Sequence, residues 1–372
     1  MSFTQIIGQR ETKQLLQNMA ADDRVPHAQI FLGGEGCGKL ATALAFTQLV
    51  LCQHKTEDNQ ACGKCSDCIK ASKMIHPDIH YSYPTVGGKA ISTMFAKEWR
   101  EAVSENPYMN IQDWLVHIKA ENKQGNITKD ECSSIIKKLG LKIFEGKYKI
   151  LLMWLPEFLG KEGNRLLKLI EEPPENTLFI LVAEDGDKIL NTILSRCQVV
   201  KFKPLEDAEV MQGLLEKKQI NEAEAKNIAH LANGNFNRAL SLSEESQNDN
   251  EQLFLEWLRM CYLGKPKQVV DFADQFSKWG RENQKHFFDY GLFFMREYMV
   301  LRMTGNENVR LGEKEKATAK NLTKLIDYGQ IESISNILTD SAYHISRNAN
   351  PKILITHVTV RMHQVLRKKV TV

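Results

Sequence analysis

The sequence predicts an α/β domain built on a parallel sheet, followed by a small helical domain and an all-helical C-terminal domain. Three observations lead there. Short apolar runs alternate with helical patterns as far as Pro204, a glycine-rich loop stands between the first strand and the first helix, and strand signals stop after Pro204. Strands that alternate with helices form parallel sheets, because each crossover helix returns the chain to the same sheet edge.

Gln29 to Leu32 reads as the first buried strand. Ala41, Leu44, Ala45, Phe46 and Leu49 then repeat at helical spacing. Ile150 to Leu155, Phe179 to Ala183 and Gln198 to Phe202 read as further strands, with a helix from Asn164 to Glu172 among them. The α/β domain thus spans 1–204. It carries an insertion at about 87–126, containing Trp99 and Trp114, that reads as one or two amphipathic helices. Residues 205–247 read as short helices around Val210, Leu214, Leu215, Ile228 and Leu231. Residues 248–372 are helical. Phe287, Gly291, Phe294, Met295 and Tyr298 form one apolar stripe, and a last helix near Ile353 to Leu366 runs into a basic tail, Arg367-Lys368-Lys369. The sequence assigns no role to the insertion.

At 372 residues the chain exceeds one ordinary domain. Its 42% hydrophobic and 26% charged content is that of a globular protein, and a net charge of +3 neither demands nor excludes nucleic acid. The N-terminus shows no apolar stretch after a basic cluster, and no run approaches the roughly 18 apolar residues that span a bilayer. The expectation is a cytoplasmic chain without a membrane partner, whose cysteines are reduced.

Gly33-Gly34-Glu35-Gly36-Cys37-Gly38-Lys39 follows a strand and precedes a helix. That is the setting of a phosphate loop: glycines let backbone N–H groups curl around phosphates, and Lys39 adds a point charge at the helix N-terminus. Gly33, Gly36, Gly38 and Lys39 are therefore candidate nucleotide-binding residues. The next position should carry a Ser or Thr hydroxyl for Mg²⁺, and it is Leu40. After ILLMWL, where a hydrolysing enzyme needs an Asp, the chain reads Pro156-Glu157, and Glu157 reads as a solvated helix-cap residue.

Cys52, Cys62, Cys65 and Cys68 lie within seventeen residues. The C-x2-C spacings let tight turns aim sulfurs at one tetrahedral ion, and four thiolates close its shell. A structural zinc is expected there. The stretch has mixed charge and no aromatic residue, which favours local stabilisation or a protein contact over a nucleic-acid contact.

Several blocks then stand in order over 1–245: Arg24-Val25-Pro26-His27-Ala28, the phosphate loop, the four cysteines, His76-Pro77-Asp78, Asn164 through Pro174 (NRLLKLIEEPP) and Ile193-Leu194-Ser195-Arg196-Cys197. Together they resemble the bacterial clamp-loader subunits of the AAA+ class, the DNA polymerase III delta-prime subunit and its tau/gamma relative. The resemblance implies an α/β P-loop domain, a small helical lid and a helical C-terminal collar. It also implies a ring of five subunits that opens a sliding clamp and sets it on primed DNA. Tau/gamma and delta would be the direct partners, with the clamp and DNA reached through the complex. ATP sites would lie between subunits. Arg196 would enter a neighbour's site as an arginine finger, and Arg238, in GNFNRAL, would match the sensor position of the lid.

Three departures separate the two relatives. Leu40 replaces the metal hydroxyl, no Asp ends the second long strand, and Ala183-Glu184-Asp185 replaces a Thr-rich sensor. They point to a delta-prime-type subunit without efficient ATPase activity, with ATP or ADP binding left open. An active tau/gamma-type motor is the alternative. An unrelated zinc-containing nucleic-acid-binding protein is disfavoured by the near-neutral charge and the lack of a basic aromatic stripe.

Overall fold

A computed structural model describes residues 1–367 except 122, 219, 245–247, 306–308, 310, 324 and 348. Lys368 and Lys369 of the basic tail lie outside the described residues, as does the expected lid boundary at 247. The chain forms two compact units, 1–241 and 242–372.

Unit 1 is built on five parallel strands: β1 (Ala28–Leu32), β2 (Ile79–Ser82), β3 (Lys149–Trp154), β4 (Thr177–Ala183) and β5 (Gln198–Lys201). Their order is β2-β3-β4-β1-β5, with Ala28 opposite Phe179 and Ile150 opposite Leu178. This is the expected α/β class with a parallel sheet. β3 and β4 are buried throughout, so they read as continuous apolar runs. β2 has no such run. Its sequence is Ile-His-Tyr-Ser, with only Ile79 apolar in the usual sense, and it escaped the pattern reading for that reason.

The helices of unit 1 are α1 (Arg10–Ala21), α2 (Lys39–Leu51), α3 (Ser66–Ser72), α4 (Ala96–Glu105), α5 (Ile111–His117), α6 (Lys129–Leu139), α7 (Leu167–Glu171), α8 (Asn191–Leu194), α9 (Asp207–Lys217), α10 (Glu222–Ala232) and α11 (Phe236–Glu244). Every residue of α2 is buried. Its two threonines return their hydroxyl protons to the preceding turn, Thr42 to Gly38 O and Thr47 to Ala43 O, so neither is an unpaired buried donor. Ile30, Leu151, Met153, Phe179 and Leu181 pack with Cys132, Ile135 and Leu139 of α6 to form one core. Phe31, the next residue on β1, packs instead against Phe46 of α2, the rings tilted with centroids 6.2 Å apart. Alternation along the strand thus serves both faces.

The expected helix from Asn164 to Glu172 is shorter. Residues Pro156–Leu166 are 3-10, broken at Gly160 (φ 50°), and only α7 is α-helical before Pro173 and Pro174 end it. Of the apolar positions around which these short helices were expected, Leu215 of α9 is 40% exposed, whereas Val210, Leu214 and Ile228 are buried.

The insertion holds α4 and α5. Its neck is closed by Thr85 and Asn126, whose N–H groups each donate to the other's carbonyl at 2.9 Å. Tyr83 stacks on Trp99 at 4.1 Å, Trp114 meets both edge-on, and Trp114 Nε1 donates to Pro84 O at 2.7 Å. Both tryptophans are fully buried.

Unit 2 is all helical: α12 (Asn248–Leu263), α13 (Pro266–Phe276), α14 (Arg281–Thr304), α15 (Glu313–Leu322), α16 (Tyr328–Ser346) and α17 (Pro351–Arg367). The stripe on α14 is its core, with Phe287, Phe294, Met295 and Tyr298 buried. Gly291 stands where a Cβ would come within 2.5 Å of the Phe254 ring. No helix among the described residues is long and apolar enough to cross a membrane.

Candidate functional site

The loop from Gly33 to Lys39 leaves the C-terminal end of β1, the end of a parallel sheet where ligands are bound. Gly36 (φ +66°) and Gly38 (φ +92°) hold the left-handed backbone of its curl. Gly36 is constrained twice, since a Cβ there would fall 1.8 Å from Asn235 Oδ1. The reason is the tight approach of α11: Phe236 N–H donates to Gly36 O at 3.0 Å, and Asn235 Nδ2 donates to Glu35 Oε1 at 3.1 Å.

Lys39 is buried, and its ammonium donates to Gly34 O within its own loop while lying 3.7 Å from Cys37 Sγ. Burial pushes the Cys37 thiol pKa up, and Lys39 opposes it. Gly36, Gly38, Lys39 and Leu40 line a small cavity together with Tyr108 and Glu184. Gly33 lies off it, packed on Phe202 O, and Arg238 is not among its lining residues. Arg238 sits on α11, its N–H capped by Asn235 Oδ1 at 3.0 Å. Burial raises the Glu184 carboxyl to about 7, with Lys39 opposing and Glu35 and Glu157 reinforcing.

Glu157 is a tie rather than a solvated cap. Its Oε1 accepts the N–H groups of Glu184 and Asp185, the latter at 2.9 Å, and so fixes the turn after β4. Leu40 is 4% exposed and brings no oxygen to the position where a metal hydroxyl would stand.

Arg196 follows α8 on the surface, 35% exposed at its side chain. Glu171 of α7 pairs with its guanidinium, and Nη1 also donates to Thr192 O at 2.7 Å.

The four expected metal ligands converge. The Cys52, Cys62, Cys65 and Cys68 sulfurs all lie within 4.8 Å of one another, and Cys62 and Cys68 sulfurs are 3.9 Å apart. Zn–S bonds of about 2.3 Å in a tetrahedron place sulfurs about 3.8 Å apart, so the donor set fits the ion. Backbone N–H groups of Lys64 (3.4 Å) and Cys65 (3.3 Å) point at Cys62 Sγ and lower its pKa to about 6, favouring the thiolate that a metal needs. Cys52 caps the C-terminus of α2 and Cys65 the N-terminus of α3, so the knot joins the two helices.

A second group, Asp67, His76 and Glu145, is also close-set, with His76 Nε2 3.5 Å from Asp67 and 3.8 Å from Glu145. It does not suit a metal. His76 Nδ1 accepts the Asp78 N–H at 3.1 Å, which leaves the ring proton on Nε2, and Lys70 already holds Glu145. The neighbouring Asp78 has the role that pattern reading missed. It accepts the N–H groups of Phe144 (2.7 Å), Glu145 (2.9 Å) and Gly146 (2.8 Å), stapling the turn before β3. Burial works to raise its pKa, but those three donors outweigh it and hold the carboxyl below its usual range. The sequence signal for it was an Asp directly after His-Pro.

A family model described as DNA polymerase III, delta subunit, matches residues 8–206. The DNA polymerase III subunit tau of Bacillus subtilis is 25% identical over 97% of this chain, and the match spans 61% of that protein's length. The DNA polymerase III subunit delta' of the same organism is 22% identical over 96% of each chain. A gamma-subunit-related protein of Thermotoga maritima aligns in structure over 96% of this chain and 100% of its own, at 14% identity and a TM-score of 0.40. The family model takes in the phosphate loop, the four cysteines and Arg196, more than half of the chain, and the chain belongs to the DNA polymerase III delta-subunit family.

Proposed function

We propose that the chain is a delta-prime-type subunit of a DNA polymerase clamp loader that does not hydrolyse ATP efficiently and lends Arg196 to a neighbouring subunit's nucleotide site. The observation that carries this reading is Leu40. Phosphoryl transfer in a P-loop site needs a metal held by the hydroxyl at this position and an acid beyond the adjacent strand. Here a buried leucine fills the first place, and Glu157 is spent on backbone donors. Arg196 is by contrast at the surface, held by Glu171 in a defined direction. On this reading the partners are tau/gamma-type and delta-type subunits, with the clamp and primed DNA met through the assembly. Residues 1–204, 205–247 and 248–372 serve as P-loop domain, lid and collar, and Arg238 marks a vestigial sensor.

Cys52, Cys62, Cys65 and Cys68 would hold one structural zinc, which supplies a crosslink and leaves no coordination position open for catalysis.

The test is ATP hydrolysis by the purified chain alone, then with its tau/gamma and delta partners, with and without Arg196→Ala. No turnover alone, and partner turnover that falls on the substitution, is the expected result. Robust turnover by the chain alone would favour the tau/gamma-type motor.

A further inference from the structure

The insertion meets the phosphate loop and the lid at once. Its residues 106–113, the link from α4 and the first turn of α5, are fixed from behind by the Trp99–Trp114–Tyr83 cluster and the Thr85–Asn126 neck. At their tip Tyr108 is 3% and Met109 5% exposed, and both line the cavity of the loop. The Tyr108 ring stands in front of Gly38, where a Cβ would meet it at 3.2 Å. Its hydroxyl accepts the Ile7 N–H at 3.0 Å, its ring meets Phe236 edge-on at 5.0 Å, and the Lys217 ammonium lies 5.1 Å from the ring centre.

The polar contacts join three segments. Glu35 Oε1 accepts from Asn110 Nδ2 at 3.0 Å and from Asn235 Nδ2 at 3.1 Å, so one loop carboxylate holds both the insertion and the lid. Asn237 closes the circuit directly: it accepts from Asn106 Nδ2 and donates to Asp113 Oδ2 at 2.6 Å. Asn110 and Asn237 are 7% and 4% exposed. Buried amides paired in this way form a specific network rather than chance contact.

We propose that residues 106–113 are a built-in latch: they occupy the mouth of the phosphate loop, tie it to α11 of the lid, and so keep nucleotide out. The inference rests on reading Gly33 to Lys39 as a nucleotide site. A phosphate in that loop needs free backbone N–H groups and a lysine able to reach it. Tyr108 and Met109 line the cavity of the loop, Lys39 is turned onto Gly34 O, and the Glu35 carboxylate is engaged by Asn110. Side chains of the insertion bridge loop and lid.

The experiment is equilibrium titration of the full chain with a fluorescent N-methylanthraniloyl-ADP, without Mg²⁺, comparing wild type with Asn110→Ala and Tyr108→Ala. Hydrogen exchange of amides 36–42 is read on the same samples. Tyr108→Leu, which removes the ring and the tie to Ile7 but keeps an apolar side chain, serves if the alanine variant fails to fold. The expected result is no saturable binding by wild type to about 1 mM, at least a ten-fold lower Kd in the variants, and faster exchange of the loop amides; a ten-fold change is about 1.4 kcal/mol. Equal affinity in wild type and variants overturns the latch. So does unchanged exchange in variants that gain no binding. Freed amides without binding would overturn the reading of the loop as a nucleotide site, and the latch with it.

Discussion

Arg196 and Glu171 form an ion pair that joins two sequence blocks, SRC and LLKLIEEPP, across the surface of the α/β unit. The guanidinium is 35% and the carboxylate 44% exposed, so the pair is screened and contributes little to folding, about 0–1 kcal/mol. On the proposed reading its use lies in direction. Glu171 and Thr192 O restrict where the guanidinium points. Glu171→Ala is therefore expected to change unfolding free energy by less than about 1 kcal/mol, while lowering ATP turnover of the assembled loader. Arg196→Ala should lower it by as much as 10³-fold, on the order of an arginine finger. Thermal melts and steady-state turnover on both variants decide it: equal turnover in wild type and Arg196→Ala removes the role.

Asp78 is expected to be a stability residue. Three backbone N–H groups converge on it, and removing a buried acceptor leaves each donor short. Asp78→Ala should cost about 2–4 kcal/mol, more than a single hydrogen bond. The sign with pH follows from its depressed pKa. The contribution is full above the unfolded value of about 3.9 and is lost as pH falls through the folded one. Denaturant unfolding at pH 7 and pH 3 should show the gap between wild type and variant narrow at the lower pH. A gap of the same size at both would contradict the staple.

The sheet was legible where the strands are apolar on both faces. Ile150 to Leu155 and Phe179 to Ala183 could be read within one or two residues of the observed ends, because buried parallel strands need continuous apolar sequence. β2 was hidden, since Tyr81 and Ser82 carry polar atoms and the strand is held in place partly by the Asp78 staple beside it. The cysteines announced their meeting through spacing alone. The contact of Tyr108 and Asn110 with the phosphate loop could not be read, because it joins residues about 70 apart through side chains common in any loop. The Glu157 tie was hidden in the same way: a glutamate beginning a helix looks like a dipole-favoured residue whether or not a second loop bonds it.

Zinc removal should act locally. The knot joins the end of α2 to the start of α3, while one face of the sheet builds its core on α6, away from both helices. About one zinc per chain is expected by elemental analysis, falling on Cys65→Ser. A chelator should raise hydrogen exchange in 52–72 and leave amides of β3 and β4 protected. Loss of cooperative melting of the whole chain on chelation would show that the knot supports the core.

Glu184 gives the site a pH dependence of opposite sign to that of Asp78. Its carboxyl titrates near 7 in the folded chain, raised first by burial and then by Glu35 and Glu157, against the pull of Lys39. The unfolded group titrates near 4.3. Between those values the native chain binds the extra proton, so stability falls as pH rises. The full contribution is present below about pH 4 and is lost as pH passes through about 7. At about 1.4 kcal/mol per unit, and with partial exposure discounting the sum, the loss by pH 8 is about 1–3 kcal/mol. Glu184→Gln keeps the shape and removes the charge. It should change stability by less than about 1 kcal/mol at pH 4.5 and raise it by about 1–3 kcal/mol at pH 8, in melts followed by circular dichroism. A variant no more stable than wild type at pH 8 would mean that the Glu184 carboxylate is well solvated beside Lys39 and carries no burial penalty.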